Sequence, residues 1–387
     1  MARILLLSAA MGGGHLQISK ELARRLRERG HTARVVDMLD LMPPPTGRWL
    51  HWLYPFLVNR TPRLYQRVYD TFFVAEQEAG ERAGVPVRLA LPGLRRFVEA
   101  FSPDLAVSTY PLCSLALGEL RARGELDSPA VTVVTTCSVN NLWLHPGVDL
   151  ELCISQDAAD DATRRTGRRA GVCGPVVRPG FLHDSADGAG FRQSLGIPAQ
   201  ARVALVTTGS MGLAGAADAA ARAIAGHDGW IPVVLCGRSE SLCRSVRQIP
   251  GAIPVEWIED MPAAMAAADV LVDNNCGMSA KEALAAGLPI VTFRPIPGHG
   301  RDDAAALERL GATQVVEDEA GLLGAIDRVV DDELARDKRI RRGRALFVAD
   351  AAELLEEQLA RPSYDAAAGA DAAGVDAAGA VAAGVSR

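Results

Sequence analysis

No stretch of about 18 apolar residues free of charge occurs in the sequence, and a helix that spans a bilayer needs that length, so no membrane crossing is expected. Basic charge is not in excess either. The 41 Lys and Arg stand against 47 Asp and Glu, a formal net charge of −6, which leaves no global positive field for a nucleic-acid backbone. The seven cysteines are odd in number and scattered, and no two form a Cys-x-x-Cys pair. That spacing points to neither a disulfide framework nor a zinc site, and it fits a reducing cytoplasm. What the chain has in plenty is apolar content, 49 % of 387 residues. At about 150 residues per domain, this supports two domains with a core in each.

Short β-branched runs alternate with longer Ala-, Leu- and Arg-rich stretches, the pattern of βαβ units around a parallel sheet. The pattern occurs twice. Strands are predicted near 3–8, 33–37, 104–108, 130–135 and 151–154, and again near 202–207, 231–236, 254–257, 269–273, 289–293 and 313–317. The opening apolar run Ile4-Leu5-Leu6-Leu7 is too short for the core of a signal peptide and reads as the first strand. A helix is expected over 16–29, stopping at Gly30. The fold class is therefore α/β, with two doubly wound sheets. Arg178-Pro179-Gly180 and the polar run from His183 to Gly188 break both periodicities. This places a first domain at 1–178, a linker at 179–190 and a second domain at 191–343. A C-terminal helix is expected at 344–362, followed by an Ala/Gly tail at 363–387 that lacks large apolar side chains and should be disordered.

Directly after the first strand comes Met11-Gly12-Gly13-Gly14-His15, opening into the first helix. The glycines let backbone approach a ligand, and the helix start offers N–H groups and a positive dipole end to an anion. His15 stands at the mouth of this turn, at the carboxyl edge of the sheet, and an imidazole suits general-base work. The plainer reading is a glycine turn with a capping histidine. A second array runs Asn274-Asn275-Cys276-Gly277-Met278-Ser279-Ala280-Lys281-Glu282-Ala283-Leu284, then Arg294-Pro295-Ile296-Pro297-Gly298-His299-Gly300-Arg301-Asp302-Asp303. Gly277 and Ser279 would present N–H and hydroxyl groups to phosphate, and Glu282, one turn on, would meet ribose hydroxyls. Taken singly, Ser279 also reads as an N-cap and Glu282 as its capping-box partner.

Taken together, these stations resemble the donor-site signature of the monogalactosyldiacylglycerol synthase and processive diacylglycerol glucosyltransferase family, and more remotely the lipid II N-acetylglucosaminyltransferase. The Gly-Gly-Gly-His turn at 12–15, the Gly-x-Ser-x-x-Glu-Ala-Leu run at 277–284 and the Pro-x-Pro-Gly segment at 295–298 occur in that order. Residues 141–149, 174–179 and 233–238 are similar too. The resemblance implies a GT-B fold, with two Rossmann-like domains facing across a cleft. It implies an inverting, metal-independent hexosyltransferase that needs no cofactor, takes a UDP-sugar as co-substrate and transfers to a lipid hydroxyl such as that of diacylglycerol. By position, Gly14, Ser210, Gly277, Met278, Ser279, Glu282, His299 and Asp303 would bind the donor, with His299 and Asp303 towards the sugar, and His15 would be the catalytic base. The family usually carries Gly-Gly at 276–277, Gln-Glu at 299–300, Asn at 303 and a carboxylate at 136, where this chain has Cys276-Gly277, His299-Gly300, Asp303 and Thr136.

Aromatic residues are scarce, yet eight of the nineteen lie in residues 48–73, alongside four Arg and one Asp. Amphipathic rings with guanidinium groups suit a headgroup interface. Trp49, Trp52, Tyr54, Phe56, Arg60 and Arg63 are therefore expected to contact lipid acceptor or the inner membrane leaflet, giving a cytoplasmic protein held peripherally at the cell membrane. The alternative is that these rings fill a groove inside the first domain. Other readings of the whole chain are transfer to a polyprenyl carrier or natural-product scaffold, a sugar-nucleotide 2-epimerase, and a nucleotide-sugar-binding module without catalysis. No nucleic-acid partner is expected.

Overall fold

The structure is a computed structural model and describes residues 1–11, 13–51, 53, 61, 84–182, 186–207 and 214–360. The first half contributes β1 (Arg3–Ser8), β2 (Thr32–Asp37), β3 (Leu105–Ser108), β4 (Ala130–Val133), β5 (Leu150–Cys153) and β6 (Ala170–Val172). They form one parallel sheet in the order β2-β1-β3-β4-β5-β6. The second half contributes β7 (Arg202–Thr207), β8 (Trp230–Gly237), β9 (Ile253–Glu256), β10 (Val270–Asp273), β11 (Ile290–Phe293) and β12 (Thr313–Val316). These lie parallel in the order β12-β11-β10-β7-β8-β9.

The strand direction of winding reverses between β1 and β3 in the first sheet and between β7 and β10 in the second. At such switch points the loops leave on opposite faces and open a crevice at the carboxyl ends of the strands, where α/β folds bind ligands. The glycine-rich turn follows β1, and the Cys276-Gly277 turn follows β10. Both motifs thus fall on the crevice of their own sheet.

Helices cover both faces. Those of the first half are α1 (Gly13–Glu28), α2 (Val85–Phe101), α3 (Pro111–Ala122) and α4 (Gln156–Thr166). The second half has α5 (Gly188–Ser194), α6 (Ala214–Ala225), α7 (Glu240–Val246), α8 (Met261–Ala266), α9 (Met278–Ala286), α10 (His299–Arg309), α11 (Glu319–Asp331), α12 (Glu333–Arg344) and α13 (Ala351–Leu359). Strands covered on both faces read as unbroken apolar runs. In β1, Leu5 and Leu7 enter one core with Leu94 and Leu117, while Ile4 and Leu6 enter the opposite one with Leu22 and Val131.

The expected strands are present, with β6 added at the sheet edge. The first helix begins at Gly13 rather than Leu16, because the glycines form its first turn. Gly30, at φ +86°, closes it as expected. The C-terminal helix is α13, shorter than 344–362: α12 runs to Arg344, the chain turns, and the Asp350 side chain caps a new start. This helix crosses back to the first half. Ala351, Ala352 and Leu355 join the core of Ile4 and Leu22, while Arg29 meets Glu353 and Glu356, each at 2.8 Å. His31 joins the same contact, its Nε2 lying 2.8 Å from Glu356 Oε1. Where the chain passes between halves, Gly174 lies directly on the Leu346 carbonyl at φ +81°, leaving no room for a β-carbon. The Ala349 amide donates to the Cys173 carbonyl beside it at 3.2 Å.

Candidate functional site

His15 sits in the first turn of α1, held from the neighbouring strand ends. Its Nδ1 lies 3.0 Å from the carbonyl of Thr109, which directly follows β3, and 2.9 Å from the hydroxyl of Thr135, beyond β4. A carbonyl only accepts, so Nδ1 carries the hydrogen and Nε2 keeps its lone pair. Thr109 is itself fixed by the buried Ser19 hydroxyl at 2.6 Å. Tyr110 packs edge-on to the imidazole at 4.9 Å, and the fully buried Trp143 lies 6.1 Å away. Burial, with lesser contributions from His299 and Lys281, lowers the His15 pKa to about 4. The ring is a neutral base at physiological pH.

From the second half, Asp273 organises the turn that leads to α9. Its carboxylate accepts from the amides of Asn275 at 3.3 Å and Cys276 at 2.7 Å. Cys276 is left-handed at φ +49°, a conformation a non-glycine residue holds only where surrounding contacts impose it. The Asn275 side chain then accepts from the Gly277 amide at 2.7 Å. Helix α9 starts at Met278 with Gly277 in the N-cap position and no side-chain cap. Ser279 is therefore inside the helix, so the capping-box alternative does not hold. Helix α10 likewise starts after a glycine, Gly298, without a side-chain cap. By contrast α4, α5, α7, α8, α11, α12 and α13 are each capped by an Asp or Ser side chain. An uncapped helix start keeps its amide donors and positive dipole end for an anion.

These starts converge. A β-carbon on Gly14 would stand 3.1 Å from Met278 Cγ, so α1 meets α9, and His15 feels the field of His299 at the head of α10. Glu282 lies one turn into α9, buried, its pKa raised by burial to about 7 against the pull of Arg178. The Arg178 guanidinium is 3.7 Å from Glu282 Oε1, which assigns this residue of the crossing segment a carboxylate partner. Burial lowers the His299 pKa.

Gly14, His15, Gly277, Met278, Ser279, Glu282 and His299 are thus brought to one interlobe region. Asp303 is near, but its carboxylate is engaged: Oδ1 accepts from the Ser138 amide at 3.0 Å and hydroxyl at 2.7 Å, and Oδ2 lies 3.7 Å from Lys281 Nζ. Trp143 and His145 are buried, with His145 held by the Gly147 amide and Glu119. The seven cysteines are buried and free. Ser210, Trp52, Tyr54, Phe56, Arg60 and Arg63 lie outside the described residues. Trp49 is described and is 57 % exposed, while Leu50 beside it packs on the first core. No helix among the described residues is long and apolar enough to cross a membrane. Sequence reasoning missed Thr109, Ser138 and Lys281. Thr109 alone left a signal, since it follows the strand beside the switch point.

The family model described as monogalactosyldiacylglycerol (MGDG) synthase matches residues 15–177. The processive diacylglycerol beta-glucosyltransferase of Bacillus cereus (strain AH187) is 22 % identical over 354 residues, covering 86 % of each chain. Both matches are to monogalactosyldiacylglycerol synthases and processive diacylglycerol glucosyltransferases, the family this chain is similar to. Among solved structures, the spinosyn rhamnosyltransferase SpnG complexed with thymidine diphosphate superposes with a TM-score of 0.63 at 16 % identity, over 93 % of this chain and 100 % of that one. Anabaena Alr3699/HepE in complex with UDP-glucose gives 0.57 at 14 % identity, over 93 % and 98 %. The fold is GT-B.

Proposed function

We propose that this protein transfers a hexose from a UDP-sugar to a lipid hydroxyl such as that of diacylglycerol, inverting the anomeric centre. The observation that carries this reading is the meeting of the glycine-rich start of α1 with the uncapped start of α9, beside an imidazole whose Nε2 keeps its lone pair. In this reading the amides of Met278 and Ser279 and the start of α1 at Gly14 hold the diphosphate, assisted by Ser210, while Gly277, its own amide given to Asn275, lets the phosphate approach the backbone closely. Glu282 accepts from the ribose hydroxyls, and His299 faces the sugar. Developing charge on the leaving UDP is then met by fixed backbone dipoles, which need no reorganisation at the moment of reaction. Metal independence is part of the proposal and rests on these dipoles.

His15 Nε2 removes the proton from the acceptor hydroxyl as its oxygen attacks the anomeric carbon and the bond to UDP breaks. The Thr109 carbonyl keeps the ring in the required tautomer, as an orienting partner does for any histidine base. Asp303, expected at the sugar, has both oxygens engaged and is not given a direct contact. Trp49 and the aromatic-basic segment around it would seat the protein on the inner leaflet.

UDP release from UDP-glucose, UDP-galactose and UDP-N-acetylglucosamine in the presence of diacylglycerol vesicles tests this function. Release with at least one donor is expected. Silence with every donor, and with polyprenyl and natural-product acceptors, would remove it.

A further inference from the structure

A buried polar bridge joins the two lobes. Asp303, on α10, is 2 % exposed and Lys281, on α9, is 4 % exposed. Asp303 Oδ1 takes both hydrogen bonds of Ser138, which lies in the loop beyond β4 of the first half, while Oδ2 faces the Lys281 ammonium. The same ammonium donates to the Cys276 carbonyl, in the strained turn that opens α9. Lys281 further lines a small interlobe pocket with Thr135 and Met278, and Thr135 holds His15. A carboxylate that reads sugar hydroxyls must offer an oxygen to the cleft. Here one oxygen is spent across the lobe boundary and the other on a buried cation.

Hydrogen bonds to a charged group are among the stronger ones in proteins, and removing one partner of a buried pair leaves an uncompensated charge. The bridge therefore favours one lobe arrangement strongly over others. We propose that Ser138, Asp303 and Lys281 form an interlobe clasp that sets how far the cleft closes over the donor, with Asp303 and Lys281 acting as positioning residues. The identity of what the cleft closes over rests on the nucleotide-sugar reading above; the clasp itself does not.

Lobe separation can be read directly. All seven native cysteines are buried, so cysteines introduced at the exposed Arg164 on α4 and Arg247 beyond α7 take fluorophores selectively. Single-molecule energy transfer is measured without ligand in the wild type, Ser138→Ala, Asp303→Asn and Asp303→Ala. The clasp predicts a longer, broader distance distribution in Asp303→Ala and intermediate shifts in the other two. In turnover it predicts a donor KM raised roughly tenfold or more. If Asp303→Ala folds with wild-type distances and changes only the preference among donor sugars, Asp303 is a sugar contact and the clasp is overturned. Should Asp303→Ala fail to fold, wild-type distances in both Ser138→Ala and Asp303→Asn overturn it equally. UDP calorimetry on the wild type, run separately, reports whether the nucleotide reading fails, and that result leaves the distance measurement intact.

Discussion

Gly14 and Met278 lie against each other so closely that a β-carbon on the glycine would stand 3.1 Å from Met278 Cγ. One belongs to the first turn of α1 and the other to the first turn of α9, so this contact sets the separation of the two helix starts. Gly14→Ala should lower kcat/KM only modestly, since Met278 Cγ, near the root of its side chain, has to give by a few tenths of an ångström. Gly14→Val should force the starts apart and lower kcat/KM by up to roughly a hundredfold, the penalty for a misplacement of about 1 Å. The melting temperature should change little, and steady-state kinetics beside a thermal melt separates the two effects.

His15→Ala should lower turnover by roughly 10²–10⁴-fold, the usual contribution of general-base catalysis, with UDP affinity nearly intact by calorimetry. The ring titrates near 4, so the acid limb of kcat/KM should fall there and not at 6.5. The unfolded chain binds a proton at His15 between pH 6.5 and 4 that the folded chain refuses. Its burial therefore makes stability fall as pH drops through that window, and His15→Ala should flatten this part of the denaturation profile.

Glu282, with its pKa near 7, should make donor affinity depend on pH. The ionised form is the better acceptor for ribose hydroxyls, so Kd for UDP should fall as pH rises through 7. Glu282→Gln should weaken binding and remove the dependence, and UDP titrations from pH 6 to 8.5 would show both.

Glu151 on β5 is fully buried, and neither of its carboxylate oxygens has a hydrogen-bond partner. Burial raises its pKa from 4.5 to about 8. The folded protein keeps the proton that the unfolded chain releases above 4.5, so stability is lost progressively as pH rises from 4.5 to 8. At pH 7 the cost is about 3 kcal/mol. Glu151→Gln should stabilise the protein at neutral and alkaline pH and abolish that slope in urea unfolding.

Gly174→Ala should be strongly destabilising, because the residue is at φ +81° and lies on the Leu346 carbonyl. A combined clash and left-handed strain of this kind costs roughly 1–3 kcal/mol or more. Faster proteolysis within 345–350, where the chain crosses between halves, would report the loosened contact.

Much of this architecture is legible in the sequence because parallel strands buried on both faces leave short unbroken apolar runs, as in Ile4–Leu7 and 290–293. β6 escaped notice because Ala170-Gly171-Val172 is short and lies at the sheet edge, where little apolar surface is needed. The switch-point motifs were legible for a related reason: close backbone approach demands glycine, and glycine is visible. The Ser138–Asp303 bond spans 165 residues, and no local pattern encodes a partner that distant. Asp303 could be placed by motif, yet its engagement by Ser138 and Lys281 depends on how two independently wound sheets face each other. Thr109 could be placed at the end of the strand beside the switch point, but not its role, since it serves His15 through a backbone carbonyl, a group every residue possesses.

The return of α13 to the first half means that the halves are held by two side-by-side passes of chain, touching where Gly174 meets Leu346. A single tether would let one body swing freely about the other. Paired pins restrict that freedom chiefly to rotation about the line through them, so each opening of the crevice retraces the same arc and brings the same faces back into register.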